Sequence, residues 1–371
     1  MTEQAREERV VVSPLDAAQL RERVQRCVDD VLAHQSSVLA EVGPDAQELL
    51  GAVARLLTGG KRLRAAFLYW GYRGAGQPDS DAVVRVATAM EFFQAAALIH
   101  DDVMDDSDTR RGMPAAHRSL AARHEEQSWS GDAGRFGVAG AILAGNLCLN
   151  WTEELYATSG LDAEHLARGR RVFDLMRTQL MGGQFLDVVE SVRPWDGVPT
   201  AERIERAERV IRFKSAKYTV EHPLLIGASA GGADSADLAA LSRYGLDLGQ
   251  AFQLRDDLLG VFGDPVATGK PAGDDLREGK RTVLVAHALA GAGDAGRTLV
   301  ESRLGDPELD TETVDRLRSV ITASGAVDAV EADIARLAGS ARMALKSTRA
   351  LDPEAVGVLD QLIDSATTRE H

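Results

Sequence analysis

The sequence predicts an all-α protein, on three observations. Alanine and leucine are abundant, while short runs that alternate β-branched and polar residues are few. Hydrophobic residues make up 44% of the 371 residues, ample for one large core, yet aromatic residues only 5%. Several long stretches place apolar residues at helical spacing without Gly or Pro. Length alone would allow two domains. No linker-like stretch divides the chain, so residues 1–371 read as a single all-α domain.

Residues 1–14 are polar and then briefly valine-rich, and read as a loose arm. Ser13 and Pro14 suit the N-cap and first turn of a helix. Leu20, Val24, Cys27, Val28, Val31 and Leu32 follow at helical spacing. A second helix runs from Gly43-Pro44 through Leu49, Leu50, Val53 and Leu56-Leu57. Thr58-Gly59-Gly60 ends it and leads into Lys61-Arg62-Leu63-Arg64. A glycine pair before clustered cations lets backbone approach an anion that the side chains surround. A basic surface turn is the plainer reading of those four residues.

The most informative stretch is Glu91 to Gly112, EFFQAAALIHDDVMDDSDTRRG, an apolar helical run that meets aspartates and then arginines. Helical spacing puts Asp101 and Asp105 on one face, with Asp102 beside them. Such carboxylates repel one another by about 0.2–0.5 kcal/mol per exposed pair, so they call for a compensating cation. Mg²⁺ is held by one or two carboxylates together with substrate phosphates, and arginine forks such as Arg110 and Arg111 suit phosphate oxygens. Carboxylates for metal, arginines for phosphate and a greasy helix beneath point to a diphosphate with an apolar tail. An isolated acidic run is more often a solvated face. A second acidic pair changes that balance: Gly249 to Asp264, GQAFQLRDDLLGVFGD, is again an apolar helical run ending in Asp256-Asp257.

The segments between are plainer. Ser107 to Gly137, with Gly112, Pro114, Gly131 and Gly134, reads as irregular, and His117 within it as structural or exposed. Helix resumes at AILAGN, residues 141–146, and VRPWDGVPT, residues 192–200, is a turn cluster. Gly263 and Pro265 break the second acidic helix. From about 281 onward, amphipathic helices and turns carry no evident chemistry. A net charge of −15 argues against a nucleic-acid surface or a polybasic membrane anchor. The N-terminus lacks the apolar core of a signal peptide, and no uninterrupted apolar run has the length of a membrane span. Cys27 and Cys148 have no metal-ligand spacing and read as buried thiols. A soluble cytoplasmic protein is expected.

These motifs, in this order, resemble the trans-isoprenyl diphosphate synthases, the family that includes farnesyl and geranylgeranyl diphosphate synthases. The resemblance covers roughly residues 40–350. It implies a bundle of long helices around a deep substrate cavity, a homodimer, and Mg²⁺, with Mn²⁺ as a substitute. It implies head-to-tail condensation of isopentenyl diphosphate with an allylic diphosphate. Lys61 and Arg64 match a Gly-Lys-x-x-Arg motif for isopentenyl diphosphate, with Arg111 as a further ligand. Gln94 stands where the family usually has a histidine, and can donate a hydrogen bond without carrying charge. Asp101, Asp102, Asp105, Asp256 and Asp257 would hold metal. Gly260 stands where the family often has another Asp, and Asn146 where it often has one too. Asp264, about 12 Å beyond Asp256 along a helix, cannot replace the former. Arg110, Lys214, Ser215, Gln253, Lys270 and Lys280 would hold the allylic diphosphate. Lys214, Ser215 and Gln253 would also face the reacting centre, while Gln184 and Asp187 would lie near the cavity wall.

Below the first acidic cluster, Ala97 and Ala96 lie about one turn deeper and Phe93 about 12 Å below Asp101. Small residues there with a floor at Phe93 suit a geranylgeranyl product, with farnesyl or longer chains as alternatives. Two other activities fit parts of the pattern. A class I terpene cyclase also uses acidic helices, but has no need of Lys61, Arg64 and Arg111. A non-catalytic partner of a prenyl synthase could lose an acidic cluster, whereas both stand here.

Overall fold

Helix α4, Asp81–Met104, shows how the sequence builds the molecule. The Ser80 hydroxyl accepts from the Val83 amide as N-cap, and no glycine or proline interrupts the helix after it. Residues from Val83 to Ile99 are buried on nearly every side, so α4 is a central helix rather than an amphipathic surface one. Among the described residues it alone is long and apolar enough to cross a bilayer, yet most of that length is buried in the bundle. Counting uninterrupted apolar runs misses it, because Arg85, Glu91 and Gln94 interrupt the run.

A computed structural model describes residues 14–263 and 273–367. Around α4 lie α1 (Leu20–Val42), α2 (Gln47–Leu57), α3 (Leu63–Gly74), α5 (Ala116–Glu126), α6 (Ala133–Ala157) and α7 (Ala163–Val192). Then come α8 (Thr200–Val210), a π-helix (Ile211–Glu221), α9 (His222–Gly231) and α10 (Ser235–Phe262). After the second described stretch opens with α11 (Asp274–Arg277), five more helices reach Thr367. The all-α expectation holds. Thr109–Arg110 and Met113–Pro114 form a two-residue antiparallel ladder. Gly263 ends α10 as expected, and both cysteines are free thiols.

The stretch expected to be irregular, residues 107–137, differs. Its glycines and proline do mark the ladder and a turn, but α5 and the start of α6 lie inside it. The Asp132 carboxylate accepts from the Arg135 amide and starts α6 directly before Gly134 and Gly137. Local composition argued for loop there, and a strong cap with packing of α6 on α5 overrode it.

Two apolar clusters make the interior. One gathers α1, α3, α4, α6, α7 and α9 around Trp70, Tyr69, Phe92 and Phe173. The other gathers Leu254, Leu258, Val261, Leu276 and the helices after residue 283. Helix α10 belongs to both: Leu241, Tyr244 and Leu248 face the first, and Ala251, Leu254, Leu258 and Val261 the second.

Candidate active site

A cavity of about 480 Å³ lies where α4, α7, the π-helix, α10 and α11 converge. Its walls include Ala97, Leu98 and Leu180 on the apolar side, and Asp101, Asp187, Asp256, Asp257 and Asp275 on the acidic side. Lys61, Arg64, Arg110, Lys214, Lys280 and Arg281 face the same space. Of the residues expected at the site, it also gathers Gln94, Gln184, Ser215 and Gln253.

The π-helix is the element that places Lys214 and Ser215. Such wide turns are uncommon and recur at functional sites. Two glycines make room for this one. A Cβ on Gly183 of α7 would stand 2.5 Å from the Lys214 nitrogen, and one on Gly249 of α10 would stand 2.6 Å from the Ala216 carbonyl oxygen. Any side chain at either position would push the π-helix out of the groove between α7 and α10.

At the first acidic cluster the protein supplies its own cations. Asp101 accepts from Gln184 Nε2 at 2.7 Å and from Lys214 Nζ at 3.0 Å, with Arg110 3.6 Å away. Lys214 also donates to Asp187 at 2.6 Å. Burial pushes the Asp101 carboxyl up, but the charges of Lys214, Lys280 and Arg110 outweigh it and hold it below its ordinary value. Burial alone would lower Lys214, and the carboxylates of Asp101 and Asp187 outweigh that and keep it charged.

Asp102 turns the other way. It is fully buried, accepts from Arg110 Nε at 2.8 Å, and is not among the lining residues. Asp105 is the C-cap of α4 and also stands outside the lining; burial, then the charge of Asp101, raises it to about 6. The expectation that Asp102 lies beside Asp101 and Asp105 on one face is therefore corrected. Successive helical residues are about 100° apart, enough to send Asp102 behind Arg110.

The second cluster has acids facing acids. Asp257 accepts from Gln253 Nε2 at 2.8 Å, yet burial and then the neighbouring Asp275 push its carboxyl up to about 8. Lys280 lies 3.4 Å from Asp275 and 2.5 Å from Glu278. Lys270 lies outside the described residues.

The basic loop before α3 is shaped by a buried ion pair. Gly59 and Gly60 have φ of 70° and 93°, and Arg62 has φ of 53°. The Arg62 guanidinium is buried, 3.0 Å from Glu91 of α4 and 2.7 Å from Gln25 of α1. Removing one partner of such a pair costs about 3–5 kcal/mol, so the loop is firmly held. Lys61 and Arg64, on either side, reach the cavity. Arg64 donates to Thr219 at 2.8 Å and lies 4.2 Å over the Tyr218 ring. Arg111 instead donates to the Leu56 carbonyl at 2.9 Å and is not among the lining residues. The Gln94 side-chain oxygen is buried without a hydrogen-bond partner.

Of the three positions expected to set chain length, Ala97 lines the cavity. Ala96 is buried and off the lining. Phe93 packs edge-on against Tyr218, their centroids 6.2 Å apart, and it is Tyr218 that meets the cavity.

The donor set fits a hard divalent cation bound together with a phosphate. Its acidic side is all carboxylate oxygen, from Asp101, Asp187, Asp256, Asp257 and Asp275. Among the described residues no three acidic, histidine or cysteine side chains converge into a ready cage. That suits Mg²⁺, which keeps few protein ligands and completes its shell with water and substrate oxygens.

Residues 46–321 match the model of the polyprenyl synthetase family. The chain belongs to that family. It is a trans-prenyltransferase. A geranylfarnesyl diphosphate synthase of Aeropyrum pernix is 32% identical over 91% of this chain and 99% of its own. A geranylgeranyl diphosphate synthase of Mycobacterium tuberculosis is 33% identical over 72% of this chain and 69% of its own. Among solved structures, a geranylgeranyl pyrophosphate synthase from Corynebacterium glutamicum, complexed with isoprenyl diphosphate and magnesium, is 40% identical. It superposes with a TM-score of 0.89 over 95% of this chain and 99% of that one.

Within this polyprenyl synthetase, sequence reasoning missed Asp275, Tyr218, Thr219, Arg281 and Thr282, all on the cavity wall. Asp275 had one available signal: it lies in the glycine- and lysine-rich segment after α10, which the motif order places near the site. Tyr218 and Thr219 follow Lys214 by one turn and were within reach of the same helical argument.

Proposed function

We propose that this enzyme is a geranylgeranyl diphosphate synthase that lengthens an allylic diphosphate with isopentenyl diphosphate units and depends on Mg²⁺. The observation that carries this reading is one cavity that gathers acids of α4, α7, α10 and α11, two separate sets of cations, and Ala97, Leu98 and Leu180 beside them. A diphosphate with an apolar tail matches that division of its walls.

Lys61 and Arg64 bind and orient the isopentenyl diphosphate, and Gln94 offers it an uncharged polar contact. Lys214, Lys280 and Arg110 hold the allylic diphosphate, and Lys270 belongs with them by its place in the sequence. Asp101, Asp105, Asp256 and Asp257 would hold the metal, while Asp102 keeps Arg110 in position. When bound, Mg²⁺ neutralises the diphosphate and makes it a better leaving group. The allylic C–O bond breaks, and the diphosphate leaves with the electron pair. The isopentenyl double bond attacks the allylic carbon, forming the new C–C bond, and the departed diphosphate takes up the proton lost from the carbon beside it. Ser215 and Gln253 face the developing positive charge with polar oxygens, and the apolar wall excludes water that would quench it.

Small residues at Ala97 leave the channel open at the first turn below Asp101, which supports a product longer than farnesyl. We place the enzyme in the cytoplasm as a homodimer of single-domain chains. Exposed Met181, Phe185, Val188 and Val192, on one face of α7, supply an apolar surface for a second copy. The test is incubation with isopentenyl diphosphate, Mg²⁺ and each allylic primer, with chromatography of the dephosphorylated products. Geranylgeraniol as the main product is expected, and Ala97→Phe shortens it toward farnesol. A cyclised hydrocarbon, formed without isopentenyl diphosphate, would overturn the reading.

A further inference from the structure

Lys280 faces the cavity from a segment that supplies its acids as well. Asp275 at 3.4 Å and Glu278 at 2.5 Å lie just before it in the chain, so those two pairs move with it. The next two residues reach other parts of the molecule. The Thr282 hydroxyl accepts from the Val285 amide at 3.3 Å and caps the helix Val283–Gly291. The Arg281 guanidinium lies over the ring of Trp195, 5.5 Å from its centroid, in the turn between α7 and α8. Trp195 is buried and held in turn by α8, where Arg203 donates to its carbonyl at 2.8 Å and lies 5.7 Å from the same ring centroid. One indole thus serves two guanidinium groups, and one of them belongs to the cavity wall.

We propose that Trp195 is a positioning residue for the allylic subsite: it seats Arg281 and so fixes the adjacent Lys280 toward the diphosphate. The inference rests on the assignment of Lys280 to that subsite given above. Three features carry it. A buried indole ordinarily finds an acceptor for its N–H, yet Trp195 Nε1 has none, and Arg281 Nε is likewise buried without a partner. What the ring offers is its face, which attracts a cation. Glu190 of α7 and Asp196, beside Trp195, favour the charge of Arg281 against the burial that opposes it. The segment is tied at its other end by different contacts: the Leu276 carbonyl accepts from the Gly305 amide at 2.9 Å, and Arg277 donates to the Leu309 carbonyl at 3.1 Å. Trp195 is the tie toward α7 and α8, the helices that carry Asp187 and Ala207 to the cavity. The ring also packs in the second apolar cluster, a task that an aliphatic side chain would share. Seating a guanidinium is the part that only an aromatic face performs.

The test separates the aromatic face from the packing. Steady-state rates of the purified full-length enzyme are measured over a matrix of both substrates in Mg²⁺, with melting to verify the fold. Trp195→Leu, which keeps apolar bulk without the ring, raises KM for the allylic diphosphate about tenfold and leaves KM for isopentenyl diphosphate within about twofold. Trp195→Met, which repacks more easily, takes its place should the leucine variant not fold. Trp195→Phe keeps a ring and recovers most of the loss. Arg281→Met raises the same KM to a similar degree, and the double variant of Trp195→Leu with Arg281→Met is no worse than either alone, because both remove one contact. Equal rises in both KM values, or an unchanged allylic KM in the folded tryptophan variant, would overturn the inference. Losses that add in the double variant would overturn it too, since Arg281 would then act on the diphosphate by itself. An unchanged allylic KM in Lys280→Met would instead refute the assignment of Lys280 to the subsite.

Discussion

The two acidic clusters look alike in sequence and differ in how their charge is balanced. At the end of α4, Asp101 is held by Lys214 and Gln184, and Asp102 by Arg110, while Asp105 is pushed up to about 6 by burial and then by the charge of Asp101. At the end of α10, Asp257 faces Asp275 and is pushed up to about 8, with Lys280 turned more toward Glu278. The first cluster is organised before any ligand arrives. At the second, burial and the neighbouring acid favour the uncharged form of Asp257. One acidic cluster is thus paired with protein cations, while in the other an acid is raised by burial and by a neighbouring acid.

The harshest way to break this comparison is to remove one acid from each side. Asp101→Ala and Asp256→Ala each should lower turnover about a thousandfold or more, since each deletes a carboxylate that would hold the metal against the leaving diphosphate. Steady-state rates at saturating Mg²⁺ check this, with circular dichroism confirming the fold. Near-parental turnover in either folded variant would mean that one cluster suffices.

A milder contrast separates the two sets of cations. Lys61→Ala should raise KM for isopentenyl diphosphate about tenfold to a hundredfold, the worth of one charge-assisted hydrogen bond, and leave the allylic KM near its parental value. Lys280→Ala should do the reverse. The measurement is a two-substrate kinetic matrix, and equal effects on both substrates would merge the two subsites into one.

Both acidic helices, the basic loop and the position of Lys214 were legible in the sequence because each is a local pattern, with apolar periodicity leading to charge. Less legible was anything decided by direction or by distant segments. Asp102 lies one residue from Asp101, and only the three-dimensional position of Arg110 shows that it points backward. The π-helix has no signature in IRFKSAKYTVE, since it depends on Gly183 and Gly249 across two helices. Phe93 was placed correctly along α4, but the intervening ring of Tyr218 comes from the π-helix. Nor does the sequence show that Asp275 stands where a side chain at Gly260 would project.

The smallest effect concerns stability without metal. The folded Asp257 carboxyl lies at about 8, above its ordinary 3.8, so its protonated form is favoured by folding. Its contribution is then fully present below about pH 4 and is lost as pH rises through about 8. Melting temperature in chelator should fall across that window, and Asp257→Asn should flatten the fall. In Mg²⁺ with diphosphate the slope should shrink, because the cation takes the proton's place. An apo melting curve equally steep in Asp257→Asn would put the pH dependence elsewhere.

The most direct test of the account is where metal sits when a diphosphate is bound. Crystals grown with Mn²⁺ and a non-cleavable allylic thiodiphosphate would show it by anomalous scattering. The account predicts metal on Asp101 and separately on Asp256, both against one diphosphate that also touches Lys214. Anomalous peaks confined to one acidic cluster, with the other still held only by protein cations, would contradict it.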